Sequence, residues 1–400
     1  MWCQFDPFCS CPDLHVSAPQ VCFRRVGAYF KRIVITPISD YFNLCEFMRI
    51  LAWYLEYQAN HELVGMPLLH TFDFTFKCFT RENNDLNVHG TGGQILEMIK
   101  ELLSRMGNLK HLKVNQLMLG DPSESVAFFD AVTSYFGESL QTLEIINITK
   151  EPMPVDHLAR FRNIIKLTLS PQHLNDEVMI LLSGLHLLHL HLIQDAFTCD
   201  CEPVSYEAWK LVRQMSPSLK VYLELSGTTR SQLLIQPRAP VHGIFLRTPY
   251  SKITNDLVMS IVEYYSKTLQ YFVQEHLPRT HGPRGFHHRC DSSLLFLVRR
   301  CPALHTLVVN ERLSTATLLL LAHERSYFWQ LQVRRNALIK RCDWSRHGEW
   351  GHDFYTQLQE SALDFDVCFK EVCRLLRRRW RPLSDKQFMR LKIMPRLQRY

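Results

Sequence analysis

The sequence predicts an α/β solenoid, in which a curved parallel sheet carries helices on its outer side and the repeats differ in length. Three observations lead to this expectation. A short apolar pattern recurs along the chain, unequal intervals separate its copies, and the intervals contain amphipathic helical segments. With 400 residues, 46% of them hydrophobic, the chain can bury a continuous core along such a stack of repeats.

The recurring pattern has the form apolar-x-x-apolar-x-apolar. Its alternating end predicts a short strand, and its first apolar residue sets the turn into that strand, which is the signature of leucine-rich repeats. The clearest copies are Leu109-Leu112-Val114, Leu140-Leu143-Ile145, Ile164-Leu167-Leu169, Leu185-Leu188-Leu190 and Leu304-Leu307-Val309. Weaker copies are Leu69-Phe72-Phe74, Leu219-Leu223-Leu225, Val241-Ile244-Leu246, Leu269-Phe272-Gln274 and Phe328-Leu331-Val333.

The segments between copies predict helices of unequal length. Gln94 to Met106 places its apolar residues on one helical face. Short polar residues precede several such segments, as in Asn175-Asp176, Asn255-Asp256 and Asp121, and can accept the unpaired N–H bonds of a first helical turn. Further helices are predicted over residues 126–136, 177–182, 205–215, 256–265 and 292–298.

Composition points to a reducing compartment. The 13 cysteines are scattered without a regular spacing, and no apolar run carries a basic flank and a cleavage site. We therefore expect the protein in the cytoplasm or the nucleus. No segment reaches the roughly 18 consecutive apolar residues that a transmembrane helix needs.

The motif content of the sequence predicts a protein without an active site and without a cofactor or metal. The sequence contains no phosphate-binding glycine loop, no GxSxG, no HExxH and no paired CxxC. Two compact thiol groups, Cys9-Ser10-Cys11 with His15 and Cys199-Asp200-Cys201, are better explained as ordinary cysteines than as zinc ligands. His287-His288 with Cys290 follows a Gly/Pro-rich segment that predicts a solvated loop, with metal binding as the less favoured alternative.

A solenoid of this kind presents the outward strand residues as a row on its concave face. That row mixes charges of both signs with few aromatic residues, and it therefore favours a protein partner over nucleic acid, which requires a consistent basic stripe. The alternative is that most of these positions are ordinary solvated residues. The predicted partner-binding residues are His111, Lys113, Glu144, Lys166, His189, His191, Phe245, Arg247, Asn310 and Arg334.

The chain resembles the F-box proteins with leucine-rich repeats, and within them the F-box only protein thirty-three and thirty-nine group. The resemblance covers about residues 20 to 370 and rests on the order and uneven spacing of several blocks. These are Val21-Cys22-Phe23-Arg24-Arg25, a strand-like segment over 30–35, a helix-like segment over 45–56, Leu140-Gln141-Thr142-Leu143-Glu144-Ile145, Asn175-Asp176-Glu177 and Ser218-Leu219-Lys220-Val221.

This resemblance implies a substrate-recognition subunit of a Skp1–cullin–F-box ubiquitin ligase, in which an N-terminal F-box binds the adaptor Skp1 and the repeats bind a protein target. An F-box has about forty residues, and Met1 to Pro19 contains three prolines that disfavour helices. We therefore expect residues 1–45 to be a degenerate or truncated F-box-like segment, with Val21, Cys22 and Arg24 as its adaptor-binding residues. A repeat scaffold without a ligase link is the alternative.

The remaining boundaries follow from the same pattern. Residues 46–370 are expected to form the solenoid, whose first helix acts as a cap on the first repeat. Residues 371–400 are expected to form a basic helix and a tail, since Val372, Leu375 and Leu376 alternate with arginines at helical spacing. A nuclear-import or nucleic-acid patch is the alternative for these arginines, and we expect Leu383 to Tyr400 to fray.

Overall fold

The computed structural model describes residues 23, 25–36, 41–60, 66–76, 94–107, 109–279 and 282–394. The predicted adaptor-binding residues Val21, Cys22 and Arg24 lie outside the described residues, as do Cys9, Cys11 and His15. The chain divides into two compact units, one of residues 1–193 and 197–219, the other of residues 194–196 and 220–400.

The first unit contains six parallel strands that follow one another in chain order across a sheet. Helices fill the connections between most of them. The strands are β1 (Arg32–Ile35), β2 (Thr71–Thr75), β3 (His111–Asn115), β4 (Thr142–Ile146), β5 (Lys166–Leu169) and β6 (His189–Gln194). The helices are α1 (Tyr41–Asn60), α2 (Gln94–Arg105), α3 (Pro122–Phe136), α4 (Asp176–Ser183) and α5 (Tyr206–Met215).

The second unit repeats the arrangement with five parallel strands and a separate parallel pair, β11 with β13. The strands are β7 (Lys220–Ser226), β8 (Val241–Arg247), β9 (Tyr271–Gln274), β10 (Thr306–Val309), β11 (Leu313–Ser314), β12 (Gln330–Val333) and β13 (Leu338–Ile339). The helices are α6 (Asn255–Tyr265), α7 (Asp291–Arg300), α8 (Thr315–Glu324), α9 (His352–Ala362), α10 (Phe365–Leu375) and α11 (Asp385–Met389). The predicted α/β leucine-rich-repeat fold is therefore present in each unit, with a strand and a helix in most repeats.

Parallel register aligns the apolar residues of successive repeats. Leu112 pairs with Phe72 on one side and with Leu143 on the other, and Leu143 pairs in turn with Leu167. All four side chains are buried, so each strand contributes one rung to a continuous core. The predicted strands are confirmed at nine of the ten copies by their positions in these ladders.

The copy at Leu185-Leu188-Leu190 is wrong by two residues. Leu190 and Leu192 pair with Leu167 and Leu169 and are buried, and Leu187 is the buried residue that leads into β6. Leu185 and Leu188 are only half-buried. The leucine-rich run permits both registers, and pairing with β5 selects one of them. Because strand side chains alternate, a shift of two leaves His189 and His191 on the side that the sequence predicts.

Helix starts depend on the polar caps that the sequence predicts. The Asn175 side chain accepts a hydrogen bond from the Val178 N–H at 2.8 Å, and the Asp121 side chain accepts one from the Ser123 N–H at 2.8 Å. At α6 the cap is Thr254, one residue before the predicted pair, and its hydroxyl accepts from the Leu257 N–H at 3.2 Å. All the predicted helices are present, with ends within a few residues of expectation.

The C-terminal part differs from the prediction. Helix α10 ends at Leu375, so the arginines from 377 onward follow the helix and do not extend it. Residues 383–394 do not fray. They form α11, which has a capping box between Ser384 and Gln387, and a following stretch whose residues Leu391 and Ile393 pack on the sheet of the second unit. Residues 395–400 lie outside the described residues.

No helix in the described part of the chain is long and apolar enough to cross a membrane.

Candidate protein-binding surface

Each sheet has a strand face, by which we mean the side whose residues alternate with the buried apolar rungs. In the first unit this face is polar and partly open to solvent. Asp73, Lys113 and Glu144 lie side by side in register on β2, β3 and β4. The Lys113 Nζ atom lies 3.0 Å from Glu144 Oε1 and 4.0 Å from Asp73 Oδ1, and Arg32 Nη2 on β1 lies 3.1 Å from Asp73 Oδ2. We call these four residues, which alternate in charge, the charge ladder.

Burial and neighbouring charge act against each other within the charge ladder. Burial raises the pKa of the Asp73 carboxyl group, and this effect outweighs the opposing effect of Lys113 and Arg32. Burial alone would lower the pKa of Lys113, but Glu144 and Asp73 together raise it. The lysine is therefore held in its charged form between two carboxyl groups.

Histidines form a second polar row beside the charge ladder. His111 Nδ1 lies 2.8 Å from the Thr142 hydroxyl, and the His70 and His111 rings make an edge contact with centroids 5.8 Å apart. Burial, followed by the nearby charge of His70, lowers the pKa of His111. Lys166 lies in register with Thr142 and is half-buried. This row keeps hydrogen-bonding groups at the surface, and Lys166 adds a positive charge to it.

The loop ends of these strands are fixed by a side chain that reaches the next repeat. The Asn115 amide donates to Glu144 Oε1 at 2.8 Å, and its oxygen accepts from the Ile146 N–H at 3.0 Å. Glu144 therefore contacts both Lys113 and Asn115. Such a network holds the charged groups in place before any partner arrives, which lowers the entropic cost of binding.

The strand face of the second unit is apolar and covered. Five residues that alternate with the buried rungs, Tyr222, Phe245, Tyr271, Val273 and Val308, form one cluster with Phe388 and Ile393. Leu383 and Leu391 pack against the same cluster and are partly buried. We call residues 383–394 the covering segment, because they supply all the C-terminal members of this cluster.

A buried ion triad holds the end of the covering segment. Arg247 Nη1 lies 2.8 Å from Glu224 Oε2, and Arg247 Nε lies 3.0 Å from Glu275 Oε2. The three side chains are 17%, 5% and 6% exposed, in that order. Arg247 Nη2 donates to the Ile393 carbonyl oxygen at 2.6 Å, and the Ile393 N–H donates to Glu275 Oε1 at 2.7 Å. The triad therefore binds both the carbonyl oxygen and the N–H of Ile393.

The beginning of the covering segment extends the sheet at the edge strand β12. Leu383 forms a parallel bridge beside Arg334, with hydrogen bonds from the Leu383 N–H to the Val333 carbonyl at 2.9 Å and from the Arg335 N–H to the Leu383 carbonyl at 2.8 Å. Arg334 Nε also contacts Asp385 Oδ1 at 2.9 Å. These bonds pair backbone groups that an open edge strand would leave to solvent or to another chain.

Four of the predicted surface residues are buried instead of exposed. Phe245 is fully buried under the covering segment, and Arg334 is buried in its ion pair with Asp385. The Asn310 amide donates to the Glu275 and His276 carbonyls at 3.2 and 2.9 Å, so its role is to tie two loops together. His189 is also buried. His111, Lys113, Glu144, Lys166 and His191 are half-buried and open to a partner, while Arg247 is largely occupied by its triad.

Several residues of these surfaces were not predicted from the sequence. Arg32 and Asp73 complete the charge ladder, and Asp73 separates the two phenylalanines of the copy Leu69-Phe72-Phe74, so its position signals the strand face. Glu224, which belongs to the ion triad, carries the same signal because it separates Leu223 from Leu225 in the copy Leu219-Leu223-Leu225. Glu275, the other carboxylate of the triad, lies just beyond the copy Leu269-Phe272-Gln274 and gave no comparable signal. The large apolar residues at alternate positions of β7 to β10 were a signal that this face is covered, because such residues seldom line an open surface.

Of the candidate metal ligands His287, His288 and Cys290, the two histidines are exposed and the cysteine is buried. Arg289 is buried and contacts Asp291 and Asp343, and Cys290 beside it is buried, which raises the pKa of its thiol. In the described ranges no group of three His, Cys, Asp or Glu side chains is arranged to hold a metal ion.

No family model matches the chain, and no curated protein matches it either. Among solved structures, the chain is similar to a chain in the crystal structure of the Rad7 and Elc1 complex in yeast. The identity is 12%, the match covers 81% of each chain, and the TM-score is 0.39. A likeness of this size identifies neither a family nor a function.

Proposed function

We propose that the protein is a noncatalytic recognition subunit that holds a protein target on the strand face of its first unit. The observation that carries this proposal is the charge ladder, in which Arg32, Asp73, Lys113 and Glu144 present alternating charges on neighbouring strands. Charges of both signs in fixed positions favour a partner with a complementary pattern and penalise a wrong one. Nucleic acid requires a surface of one sign.

We further propose that the target is delivered to a ubiquitin ligase of the Skp1–cullin–F-box type. This step is supported by the resemblance of the sequence to F-box proteins with leucine-rich repeats. It assigns adaptor binding to the N-terminal segment, including Val21, Cys22 and Arg24. We also propose that the protein works in the cytoplasm or nucleus, in keeping with the free thiols of the described cysteines.

The experiment is an affinity pull-down of the intact chain and of a chain that lacks residues 1–22, read for Skp1 and cullin. The deletion ends before Phe23 because that ring stacks on Tyr54 with centroids 5.6 Å apart, and β1 pairs with β2. A longer deletion would therefore damage the first unit. Adaptor bound by the intact chain and lost on deletion supports the ligase link. Absence of the adaptor from both samples supports the scaffold alternative.

Target binding is tested separately with Lys113→Met, which removes the central charge of the ladder and keeps the length of the side chain. The matched control is Lys210→Met, because Lys210 is an exposed lysine on α5. We expect Lys113→Met to reduce the recovery of co-purifying target proteins and to leave adaptor recovery unchanged. Equal recovery with both variants would argue against the charge ladder as the target site.

A further inference from the structure

We propose that the strand face of the second unit is a peptide-binding surface, and that the covering segment competes with partner peptides for it. In the free chain, residues 383–394 occupy this surface. A partner that carries a segment of the same chemistry binds there by displacing them. This proposal concerns the second unit alone. Its test therefore does not depend on target binding by the first unit or on any ligase link.

The first argument is the chemistry of the covered face. Phe245, Val273 and Val308 lie in register on three neighbouring strands and are fully buried. The corresponding face of the first unit carries the charge ladder, so the repeat architecture itself does not require apolar residues on this side. An apolar strand face of this size needs an occupant, since a soluble protein seldom exposes such a patch.

The second argument is the way in which the occupant is held. From 383 to 394 only Phe388 and Ile393 have buried side chains, five residues apart. Leu383 and Leu391 add partly buried contacts, and Asp385 pairs with Arg334. Further contacts are made by backbone atoms. Arg247 and Glu275 bind the carbonyl and the N–H of Ile393, and β12 binds the backbone of Leu383. Backbone bonds of this kind are available to any extended peptide, so side-chain specificity rests on the two apolar anchors.

The third argument is the outer surface of the covering segment. Lys386, Met389, Arg390 and Lys392 are exposed and face away from the cluster. They add nothing to docking, so most of the segment's length serves to connect the two anchors. The ligand class is therefore a protein segment that carries a large aromatic residue in a short helical turn and an aliphatic residue five positions later. In the resident segment Phe388 lies within the short helix α11, and Ile393 follows four residues after the end of this helix.

The covering segment has a large advantage over any free ligand because it is tethered. A short tether gives an effective concentration in the millimolar range, so the intact chain should bind a free copy of the segment about a hundredfold more weakly than a chain with the tether cut. Release from the tether, or a partner that holds several sites at once, would shift this balance.

The test uses the full chain with a site-specific protease site inserted directly after Arg381, which is exposed, and before Pro382, which is buried. The protein is folded first and then cleaved, so the covering segment stays in place without its tether. The probe is a fluorescein-labelled synthetic peptide of residues 382–394, followed by fluorescence anisotropy. We expect the peptide to bind the cleaved protein, to be displaced by unlabelled peptide, and to bind the uncleaved protein about a hundredfold more weakly.

A control peptide with Phe388→Asp and Ile393→Asp should bind the cleaved protein at least about tenfold more weakly, because both anchors are lost. Two results would overturn the proposal. If the cleaved protein stays folded and never exchanges its segment for the labelled peptide, the segment is a permanent part of the core. If cleaved and uncleaved proteins bind the peptide equally, the peptide does not compete for this surface.

Discussion

The guanidinium group of Arg247 donates a hydrogen bond to the carbonyl oxygen of Ile393, 146 residues later in the chain, at 2.6 Å. The same guanidinium group contacts the carboxylates of Glu224 on β7 and of Glu275, which directly follows β9. One side chain therefore contacts two buried carboxylates and fixes Ile393 of the covering segment. The charge balance of the strand face and the position of Ile393 therefore depend on each other.

Replacement of Arg247 by alanine should destabilise the second unit. Two carboxylates would remain buried without their cation, and breaking a buried pair in this way costs about 3–5 kcal/mol. We expect a lower midpoint in urea denaturation and faster hydrogen exchange at residues 391–394. The matched control is Arg162→Ala, whose ion pair with Glu138 is mostly exposed and should be worth less than about 1 kcal/mol. Equal midpoints for the two variants would show that the triad does not stabilise this unit.

Phe388→Ala should loosen the covering segment. Phe388 is fully buried against the apolar strand face, and removal of such a ring costs about 3–5 kcal/mol. Because the covering segment is anchored by two buried side chains, Phe388 and Ile393, we expect local release before global unfolding. Limited trypsin digestion should then cleave after Arg390 and Lys392 much earlier than in the unaltered chain, with the fragments identified by mass spectrometry.

Met389→Ala is the neighbouring control for this experiment, because the Met389 side chain is 57% exposed. It should leave the digestion pattern unchanged. The interpretation of the segment as docked through Phe388 fails if both variants are cut at the rate of the unaltered chain.

The strands were predictable because their apolar period is set by burial. Leu112 and Val114 on β3 and Leu307 and Val309 on β10 must face the core wherever the neighbouring strands lie, so the local pattern is sufficient. Where the local pattern fits more than one register, it is not sufficient to place the strand. The run that contains Leu185, Leu187, Leu188 and Leu190 fits two registers, and only the pairing of Leu190 with Leu167 selects one.

The strand faces were only half predictable for a related reason. Alternation indicates which side of a sheet a residue occupies, but not what lies on top of it. Lys113 and Glu144 are half-buried and open to solvent, as the alternation predicts, whereas Phe388 and Ile393 cover Phe245, for which the alternation predicts exposure. The cover comes from the far end of the chain, and its basic, proline-flanked sequence suggested fraying. Contacts between residues so far apart in the sequence do not affect the local spacing of apolar residues, so that spacing cannot predict them.

Gly27→Ala should destabilise the start of the first unit. A Cβ atom at Gly27 would lie 2.6 Å from Cζ and Oη of Tyr54, which is closer than real side chains approach. Tyr54 is buried and stacks on Phe23, so its ring has no free space into which it could move. Overpacking of this kind costs about 1–3 kcal/mol. Thermal denaturation followed by circular dichroism measures it.

The matched control for Gly27→Ala is Gly107→Ala, since an added Cβ atom at Gly107 meets no atom within 4 Å. We expect that variant to melt at the temperature of the unaltered chain or slightly above it. Unchanged melting of Gly27→Ala would mean that the N-terminal stretch does not pack on Tyr54 in solution.

His173 should make the first unit less stable in mild acid. Its ring is fully buried, Nε2 accepts a hydrogen bond from the Ile148 N–H at 3.2 Å, and Nδ1 lies 3.2 Å from the Met153 carbonyl oxygen, to which it donates. Burial lowers the pKa of His173 from 6.5 to about 4, because the charged ring would lose its solvation. A proton on Nε2 would also remove the acceptor of the Ile148 N–H.

The sign of the effect follows from proton uptake. Between pH 6.5 and about 4 the unfolded chain binds a proton at this histidine and the folded chain does not, so stability is complete above pH 6.5 and falls as the pH drops through this window. The loss between pH 7 and pH 5 should be about 2 kcal/mol from this group. Urea denaturation at the two pH values measures it. His173→Gln should flatten the dependence by that amount, whereas His186→Gln, at an exposed position, should keep the full slope. If His173→Gln retains the slope of the unaltered chain, the buried ring is not the group that responds to acid, since only a group whose protonation differs between the folded and unfolded chains contributes to it.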